Sequence, residues 1–574
     1  MKNNEIAEIF NDIADLLEIK EENRFRIRAY RKAAQNIENI NEDIEDLAKK
    51  NLLKNIPGIG KDLANKIEEF LSKGAIEYYE NLKAEIPTGI ITLMSIPGIG
   101  PKTAKLLYKK FNVDNINDLE MLAKAHKIRG LPGLKDKTEE NILKGIEFLK
   151  SGKGRYPFGI AAPLAEEIVS SLKELKEVIR ISPAGSLRRC KETIRDIDIL
   201  VTAKSSKNIM ERFVSFPFVK DILAKGDTKG SIRITEGIQV DLRIVEPDSY
   251  GSALAYFTGS KEHNIRIREI AKNKGLKINE YGIFRENDGE KIGGKEEEDI
   301  YSLLDLQYIP PEIREDSGEI EAAIRRELPD LIELDDIKGD FHMHTKWSDG
   351  AHTIEELAIE CKSKGYEYIA ITDHSKSLGV AGGLSEEELL MQIEEIDMVN
   401  KKFDDFRVLA GIEVDIRSDG SLDFSDDILS KLDIVIAAIH TGFKQGKEAI
   451  TKRIINAMKN KYVNIIAHPT GRLLGVREGY ELDLAEIFKV ARETDTIIEI
   501  NSYPQRLDLN DKNSRWAKEE GVMVAIGTDA HTINQLDTIG FGVSVARRGW
   551  LERKDVLNCL SVNELLNKLS KKIG

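Results

Sequence analysis

This sequence predicts a multidomain protein of α+β and α/β class, and three observations set that expectation. The chain has 574 residues, too many for one hydrophobic core. Its apolar patterning changes twice: from helical spacing before residue 150 to strand-like alternation after 155, then to a βα rhythm after 338. Between the last two regimes, residues 300–338 are acidic and carry Pro310-Pro311, which marks a junction.

Composition narrows the class further. Hydrophobic residues make up 41% of the chain, enough for packed cores. Taken whole, the formal charge of −14 argues against a nucleic-acid binder. The two halves differ, however: residues 1–300 hold 51 Lys/Arg against 49 Asp/Glu, and 301–574 hold 34 against 50. Within 101–250 the count is 28 against 21, so the front half can present basic faces to phosphates. Cys190, Cys361 and Cys559 stand alone in sequence, which suits a reducing compartment better than a disulfide framework. The opening MKNNEIAEIFNDIADLLEIK has helical apolar spacing and no basic or apolar targeting segment, and nowhere do 18 apolar residues run together. The expectation is a cytoplasmic protein with no membrane contact, acting as a monomer.

Residues 1–150 read as short helices joined by Gly turns. NIPGIGKDLANKIEEF (55–70) and SIPGIGPKTAKLLYKKF (95–111) are an internal repeat, with a degenerate third copy in GLPGLKDKTEENI (130–142). Gly58, Gly60, Gly98 and Gly100 let backbone N–H groups approach an anion where the following helix begins. One copy is explained by a tight interhelical turn; two nearly identical copies favour phosphate contact. The pattern resembles the helix-hairpin-helix module, which grips DNA phosphates without reading bases.

The middle region carries its chemistry in AGSLRRCKETIRDIDILV (184–201). Asp196 and Asp198 alternate with apolar residues and so project from one face of a strand, and Asp241 in VDLRIV adds a carboxylate from a neighbouring strand. Three such groups repel one another unless cations share the site, and two Mg²⁺ ions would supply that charge. Gly185, Ser186, Arg188 and Arg189 offer N–H, hydroxyl and guanidinium donors to phosphates. Acids on an exposed edge strand would not predict this lead-in. The whole resembles the nucleotidyltransferase signature of the family X DNA polymerases, the family of DNA polymerase beta.

That resemblance extends through LAYFTGSKEHNIRIREIAKNKGLKINEYGIF (254–284). It implies that Tyr256, Phe257 and Gly259 line the incoming sugar and that Asn264 reaches the minor-groove edge of the new base pair. It further implies that Arg268 contacts the template strand and that Arg243 modulates Asp241. At the N-terminus it implies a lyase-like domain, with Lys66 as the Schiff-base lysine and Arg26 and Tyr30 in a 5′-phosphate pocket. Asp62 departs from the family pattern, standing where a phosphate-binding Lys is expected.

In the back half, six of the nine histidines follow apolar runs. DFHMHTKWSDG (340–350) places His342 and His344 two apart, so both imidazoles lie on one side of an extended strand, with Asp349 beyond. AITDHS gives His374, AGIEVDI gives Glu413, IAAIHTG gives His440, IIAHPTG gives His468, and AIGTDAH gives Asp529 and His531. Successive strand ends gather at the C-terminal mouth of a barrel, where mixed imidazole and carboxylate donors suit Mn²⁺ or Zn²⁺. Arg472, after His468, is either a substrate-facing charge or a surface residue. The nine donors resemble the three-metal site of the PHP (polymerase and histidinol phosphatase) domain, which implies phosphoester hydrolysis.

The expected order is a helical lyase-like domain (1–85), a second helix-hairpin-helix domain (86–150), a mixed-sheet nucleotidyltransferase palm (151–245) and a thumb (246–317). A linker (318–337) then leads to a distorted (β/α)7 PHP barrel (338–574). This order resembles the PHP-bearing family X polymerases of bacteria and archaea. It implies gap-filling synthesis on DNA from dNTPs, with 3′→5′ exonuclease action and abasic-site cleavage in some members. Three other readings are a template-independent or tRNA-type transferase, a nucleotidyltransferase fused to a histidinol phosphatase-like phosphoesterase, and a binding module with both sites degenerate.

Overall fold

The computed structural model describes residues 2–20, 22–39, 44–56, 58–94, 99–113, 115–129, 131, 139, 142–143, 155–235, 237–474 and 477–573. Gly98 and most of the third repeat copy lie outside them.

The N-terminal part is helical. On the helix Lys2–Ile19, Ile6, Phe10, Ile13 and Leu17 recur at three- and four-residue spacing and are buried, the stripe an amphipathic helix needs. They pack with Tyr30 and Ile37 of the helix Arg24–Asn39; the Phe10 and Tyr30 rings meet edge to face at 5.4 Å. Gly60 and Gly100 are the N-caps of the helices Lys61–Lys73 and Pro101–Phe111. Gly58 takes φ +83, which a side chain would strain.

In the middle, β1 (Tyr156–Pro157) pairs β3 (Thr193–Ile194) beside a five-stranded sheet. That sheet comprises β2 (Val178–Pro183), β4 (Asp196–Ala203), β5 (Val219–Lys225), β6 (Lys229–Ile234) and β7 (Gln239–Ile244), in the order β2-β4-β7-β6-β5. Ile197, Ile199 and Val201 face the core with Val240 and Leu242 and with the backing helix Phe158–Lys173. Because β4 and β7 run parallel with Asp198 opposite Asp241, the alternation that buries the isoleucines turns all three carboxylates to the other face.

Helices Tyr250–Thr258 and Lys261–Asn273 follow, then β8 (Leu276–Asn279), β9 (Gly282–Arg285) and β10 (Lys291–Gly293). The segment expected as a linker, 318–337, carries a helix of its own. Glu319–Arg325 is a helix whose Ile320 and Ala323 enter the core containing Ile267 and Ile300. Apolar spacing inside an acidic run was enough to bury it.

Beyond lies a sheet of seven parallel strands in sequential order: β11 (Gly339–Asp340), β12 (Tyr368–Ile371), β13 (Arg407–Asp415), β14 (Ile434–Ala438), β15 (Ile465–Ile466), β16 (Ile497–Asn501) and β17 (Val524–Gly527). A Met343–Ala530 bridge brings the first and last strands together into a barrel. Alternate residues such as Ala370, Leu409 and Ile436 point inward, while Ile369, Val408 and Val435 meet the outer helices. Leu565 and Leu569 of the C-terminal helix join the interior, and Lys572 on that helix reaches the Val463 carbonyl just before β15. The helix therefore stoppers the N-terminal end and leaves the opposite mouth for chemistry. No helix among the described residues is long and apolar enough to cross a membrane.

Candidate functional sites

The barrel mouth gathers all nine sequence-predicted donors. Inward parity puts Glu413 on the interior face within β13 and continues past β12, β14 and β17 to His374, His440 and Asp529, each two to four residues beyond an interior side chain. His468 leaves that parity through a turn at φ +26, and Asp529 sits at φ +55. Three donor groups close to within 4.8 Å internally: His344, Asp349, His374 and His531; His342, His344 and Asp529; and His374, Glu413 and His440. His344 and His374 each belong to two of these groups, so the three adjoin one another.

Glu413 is at the centre. Its Oε1 lies 2.9 Å from His468 Nε2 and 3.3 Å from His440 Nε2, and its Oε2 lies 2.7 Å from His374 Nδ1. Burial alone would raise this carboxyl, but the imidazoles of His440, His374 and His342 outweigh it and hold it well below the carboxylate range.

The residues fit a metal cluster. His342 Nε2, both nitrogens of His344 and His468 Nδ1 are buried without a hydrogen-bond partner, and the close approach of His374 Nδ1 to Glu413 Oε2 lacks hydrogen-bond geometry, a density of unsatisfied polar atoms that folding does not otherwise tolerate. Their neighbours aim them. His342 Nδ1–H donates to Glu499 at 2.6 Å, His440 Nδ1–H to Asp415 at 2.9 Å, and His531 Nδ1–H to the Asp529 carbonyl at 2.8 Å. Each bond leaves Nε2 free to face the cluster.

Glu499, Asp415 and Arg506 were missed by the sequence reading. Glu499 sits in TIIEI, where one charged residue on the inward face of an apolar strand was the available signal. Arg506 Nε lies 3.4 Å from Asp529 and is the cation beside the cluster. Arg472 is neither of the alternatives read for it, because it is tied to Glu192 of the middle region at 2.9 Å.

The second centre is on the sheet β2-β4-β7-β6-β5. Burial pushes the Asp198 carboxyl up to about 7, with Asp196 and Asp241 adding to the effect, the response of a desolvated carboxyl crowded by two others. Gln239 donates to both oxygens of Asp241, and Arg195 reaches Asp196 at 3.3 Å. Among the described residues, the donor groups closing to within 4.8 Å are all in the barrel, so this triad is the more open of the two centres. The donor set of three oxygens suits Mg²⁺. Gly185, at φ +62, approaches so closely that a Cβ would stand 2.3 Å from Asp198 Oδ2. Ser186 follows it in the short helix Gly185–Arg188.

Arg188 departs from its expected part as a phosphate donor. Its two terminal nitrogens are bound to the two oxygens of buried Glu297, each at 2.7 Å, which makes it a strut between the sheet and the thumb. Arg189 donates to Glu315 at 3.0 Å and to the Thr258 carbonyl.

Asp198, Asp241, Arg243 and Phe257 line one small cleft, with the Arg243 guanidinium 4.8 Å from the Phe257 ring. Tyr256 meets Phe257 edge to face at 5.3 Å, and Asn264 donates to the Tyr256 carbonyl at 2.8 Å. A Cβ on Gly259 would stand 3.0 Å from Arg189 Nη1. Arg268 is exposed one turn beyond Asn264.

At the N-terminus the structure brings Arg26, Tyr30 and Lys66 around one ring that sequence reading did not single out. Arg26 and Lys66 stand 5.1 and 5.2 Å from the centre of Tyr78, which stacks with Tyr30 at 6.5 Å. Asp62 pairs with Lys66 at 2.7 Å. Gly58, Gly60 and Gly100 are exposed at their turns.

Comparison with known proteins agrees with this partition. Family models match residues 1–76 (helix-hairpin-helix domain), 90–147 (SAM-like helix-hairpin-helix tandem), 253–315 (DNA polymerase beta thumb) and 340–503 (PHP domain). The DNA polymerase/3′-5′ exonuclease PolX of Bacillus subtilis (strain 168) is 41% identical over 567 residues, 98% of this chain and 99% of that protein. A probable phosphatase of Thermoanaerobacter sp. (strain X514) is 33% identical over 248 residues, 41% of this chain and 96% of its own length. DNA polymerase lambda of Rattus norvegicus is 26% identical over 289 residues, 45% of this chain and 48% of its own. The chain belongs to the family X DNA polymerases that carry a C-terminal PHP domain.

Proposed function

We propose that this protein is a DNA-directed DNA polymerase that fills short gaps during repair and processes 3′ ends with its barrel as a 3′→5′ exonuclease. One observation carries the reading: a single chain holds two separate acid-rich centres, one on a sheet beside groups able to donate to phosphate and one at a barrel mouth with nine convergent imidazoles and carboxylates. We assign the domains as 1–85, 86–150, 151–245, 246–317 and 338–574, with 318–337 joining the thumb to the barrel. The substrates are gapped or primed DNA and dNTPs, and the protein acts as a monomer.

In synthesis, Ser186 and the Gly185 backbone hold the triphosphate and Arg189 neutralises it. Tyr256 and Phe257 wall the sugar, and Asn264 and Arg268 track the new base pair and the template. The primer 3′-oxygen attacks the α-phosphate in line and pyrophosphate leaves. Asp196, Asp198 and Asp241 would hold Mg²⁺, which when bound would supply positive charge to offset the negative charge that develops in this displacement. In the barrel, His342, His344, Asp349, His374, Glu413, His440, His468, Asp529 and His531 would hold three Mn²⁺ or Zn²⁺ ions, which when bound would supply Lewis acidity toward the phosphodiester. Arg506 adds charge beside that phosphate, and Glu499 and Asp415 keep the imidazoles oriented.

At the N-terminus, Arg26 and Tyr30 dock the 5′-phosphate of a gap. Asp62, paired to Lys66, disfavours Schiff-base chemistry there, so gap binding rather than lyase action is assigned to this pocket.

The test is a 5′-labelled primer on a one-nucleotide gap, with Mg²⁺ or Mn²⁺, with and without dNTPs. Extension with dNTPs and 3′ shortening without them are expected. Phosphate release from histidinol phosphate without 3′ shortening would move the barrel to the small-molecule phosphoesterase reading.

A further inference from the structure

The barrel does more than sit beside the polymerase sheet. Arg548, on the outer barrel helix Ile539–Arg548, has a side chain only 4% exposed. Its Nε and Nη2 bind Asp511 of the barrel at 2.9 and 2.6 Å. Its Nη1 crosses the domain boundary to the Arg189 carbonyl at 2.6 Å, the Glu312 carbonyl at 3.0 Å and Glu315 Oε1 at 3.2 Å. That same Glu315 oxygen accepts the side-chain Nε of Arg189 at 3.0 Å, and Lys191 stands 3.6 Å from its other oxygen. The contact is anchored nearby. Arg547 binds Glu312 at 2.8 Å, Phe158 meets Phe541 at 5.4 Å, and a Cβ on Gly159 would strike Pro504 at 2.2 Å.

We propose that Arg548 is a positioning residue for polymerisation, through which the barrel sets how readily Arg189 reaches the incoming triphosphate. Two features of the geometry carry this. The Arg548–carbonyl bond fixes the backbone from which the Arg189 side chain swings. The Arg548 charge, closer to Glu315 than that of Lys191, satisfies the carboxylate, so Arg189 can leave it for the nucleotide without leaving a half-buried anion short of counter-charge. A bound triphosphate offers Arg189 more negative charge than one carboxylate does, and the exchange becomes less favourable when Glu315 loses the buried Arg548 and keeps only the more distant Lys191. The inference rests on the reading of Arg189 as a triphosphate contact.

The test uses full-length protein and compares Arg548→Ala, Glu315→Gln, the double variant and Arg189→Ala, measuring the KM for dNTP on gapped DNA and, separately, 3′ shortening without dNTP. Arg548→Ala is expected to raise KM about tenfold while 3′ shortening continues at the unaltered rate, which also reports that the barrel is folded. Glu315→Gln should hold or lower KM, and the double variant should recover most of the loss, because a neutral residue 315 no longer retains Arg189. A merely structural Arg548 would not be rescued by Glu315→Gln. An unchanged KM in Arg548→Ala, or no recovery in the double variant, overturns the proposal. If Arg548→Ala does not fold, Glu315→Gln alone decides, and a rise in KM matching that of Arg189→Ala overturns it. An unchanged KM in Arg189→Ala instead overturns the underlying assignment of Arg189.

Discussion

Glu499 offers the sharpest test of the barrel centre, because it touches the cluster only through other residues. It is buried, and its two oxygens serve two donors: Oε1 takes His342 Nδ1–H at 2.6 Å and Oε2 takes the His468 backbone N–H at 2.6 Å. Glu499→Gln keeps the shape and removes one acceptor. Whichever way the amide turns, its NH₂ faces an N–H, so either His342 loses the bond that aims its Nε2 or the His468 amide is left unsatisfied. Losing such an outer partner of a metal ligand costs about 10–100-fold in metal affinity or activity, or about 1.4–2.7 kcal/mol. The assay is 3′ shortening of a labelled primer across a Mn²⁺ titration, with gap extension in Mg²⁺ as the internal control. The Mn²⁺ midpoint should move up by one to two decades while extension holds. An unmoved midpoint with an unmoved rate would show that Glu499 does not orient the cluster and that the hydrogen-bond argument is wrong.

Other expectations follow from the same geometry. Asp198→Ala abolishes extension and leaves 3′ shortening intact, whereas His344→Ala or Asp529→Ala does the reverse; a folded variant lacking both activities refutes the two-centre assignment. Gly185→Ala, forced into φ +62 and against Asp198, costs about 1–3 kcal/mol of strain and lowers extension tenfold or more, read as single-turnover incorporation. Glu297→Gln breaks the buried pairs to Arg188 and Arg314, at 2.7 and 2.6 Å, and destabilises the palm–thumb joint by about 3–5 kcal/mol, visible in hydrogen exchange of residues 298–313. Burial would raise the Glu297 carboxyl, but Arg314 and Arg188 outweigh it and hold it below its ordinary 4.5. The stability from these pairs is therefore fully present above pH 4.5 and drains away as pH falls further. Wild-type protection at 298–313 should weaken below that pH while that of Glu297→Gln stays flat.

How far the site could be read in advance depended on what kind of signal each residue left. The nine barrel donors were legible because each lies in or after an apolar run, and strand order in a parallel barrel converts sequence order into neighbourhood: His374, just past β12, bridges Glu413 near the end of the adjacent β13. Asp196, Asp198 and Asp241 were legible for a similar reason, since period-two alternation fixes their face and only the pairing of β4 with β7 had to be supplied. The supporting residues left no such trace. Glu499 matters because β16 lies beside β15, and Asp415 because two residues past Glu413 the strand still points inward to His440; local spacing gives their inward faces but not their partners. Arg188 shows the opposite failure. A motif places it correctly in sequence, yet its role depends on Glu297, more than a hundred residues away, and two opposite charges buried together are worth more to each other than to a ligand that must first displace one of them. Arg189, one residue on, faces Glu315, which three cations approach. A carboxylate with cations to spare can release one. By that argument the neighbouring arginines divide the work: Arg188 holds the domains together and Arg189 is the one able to move.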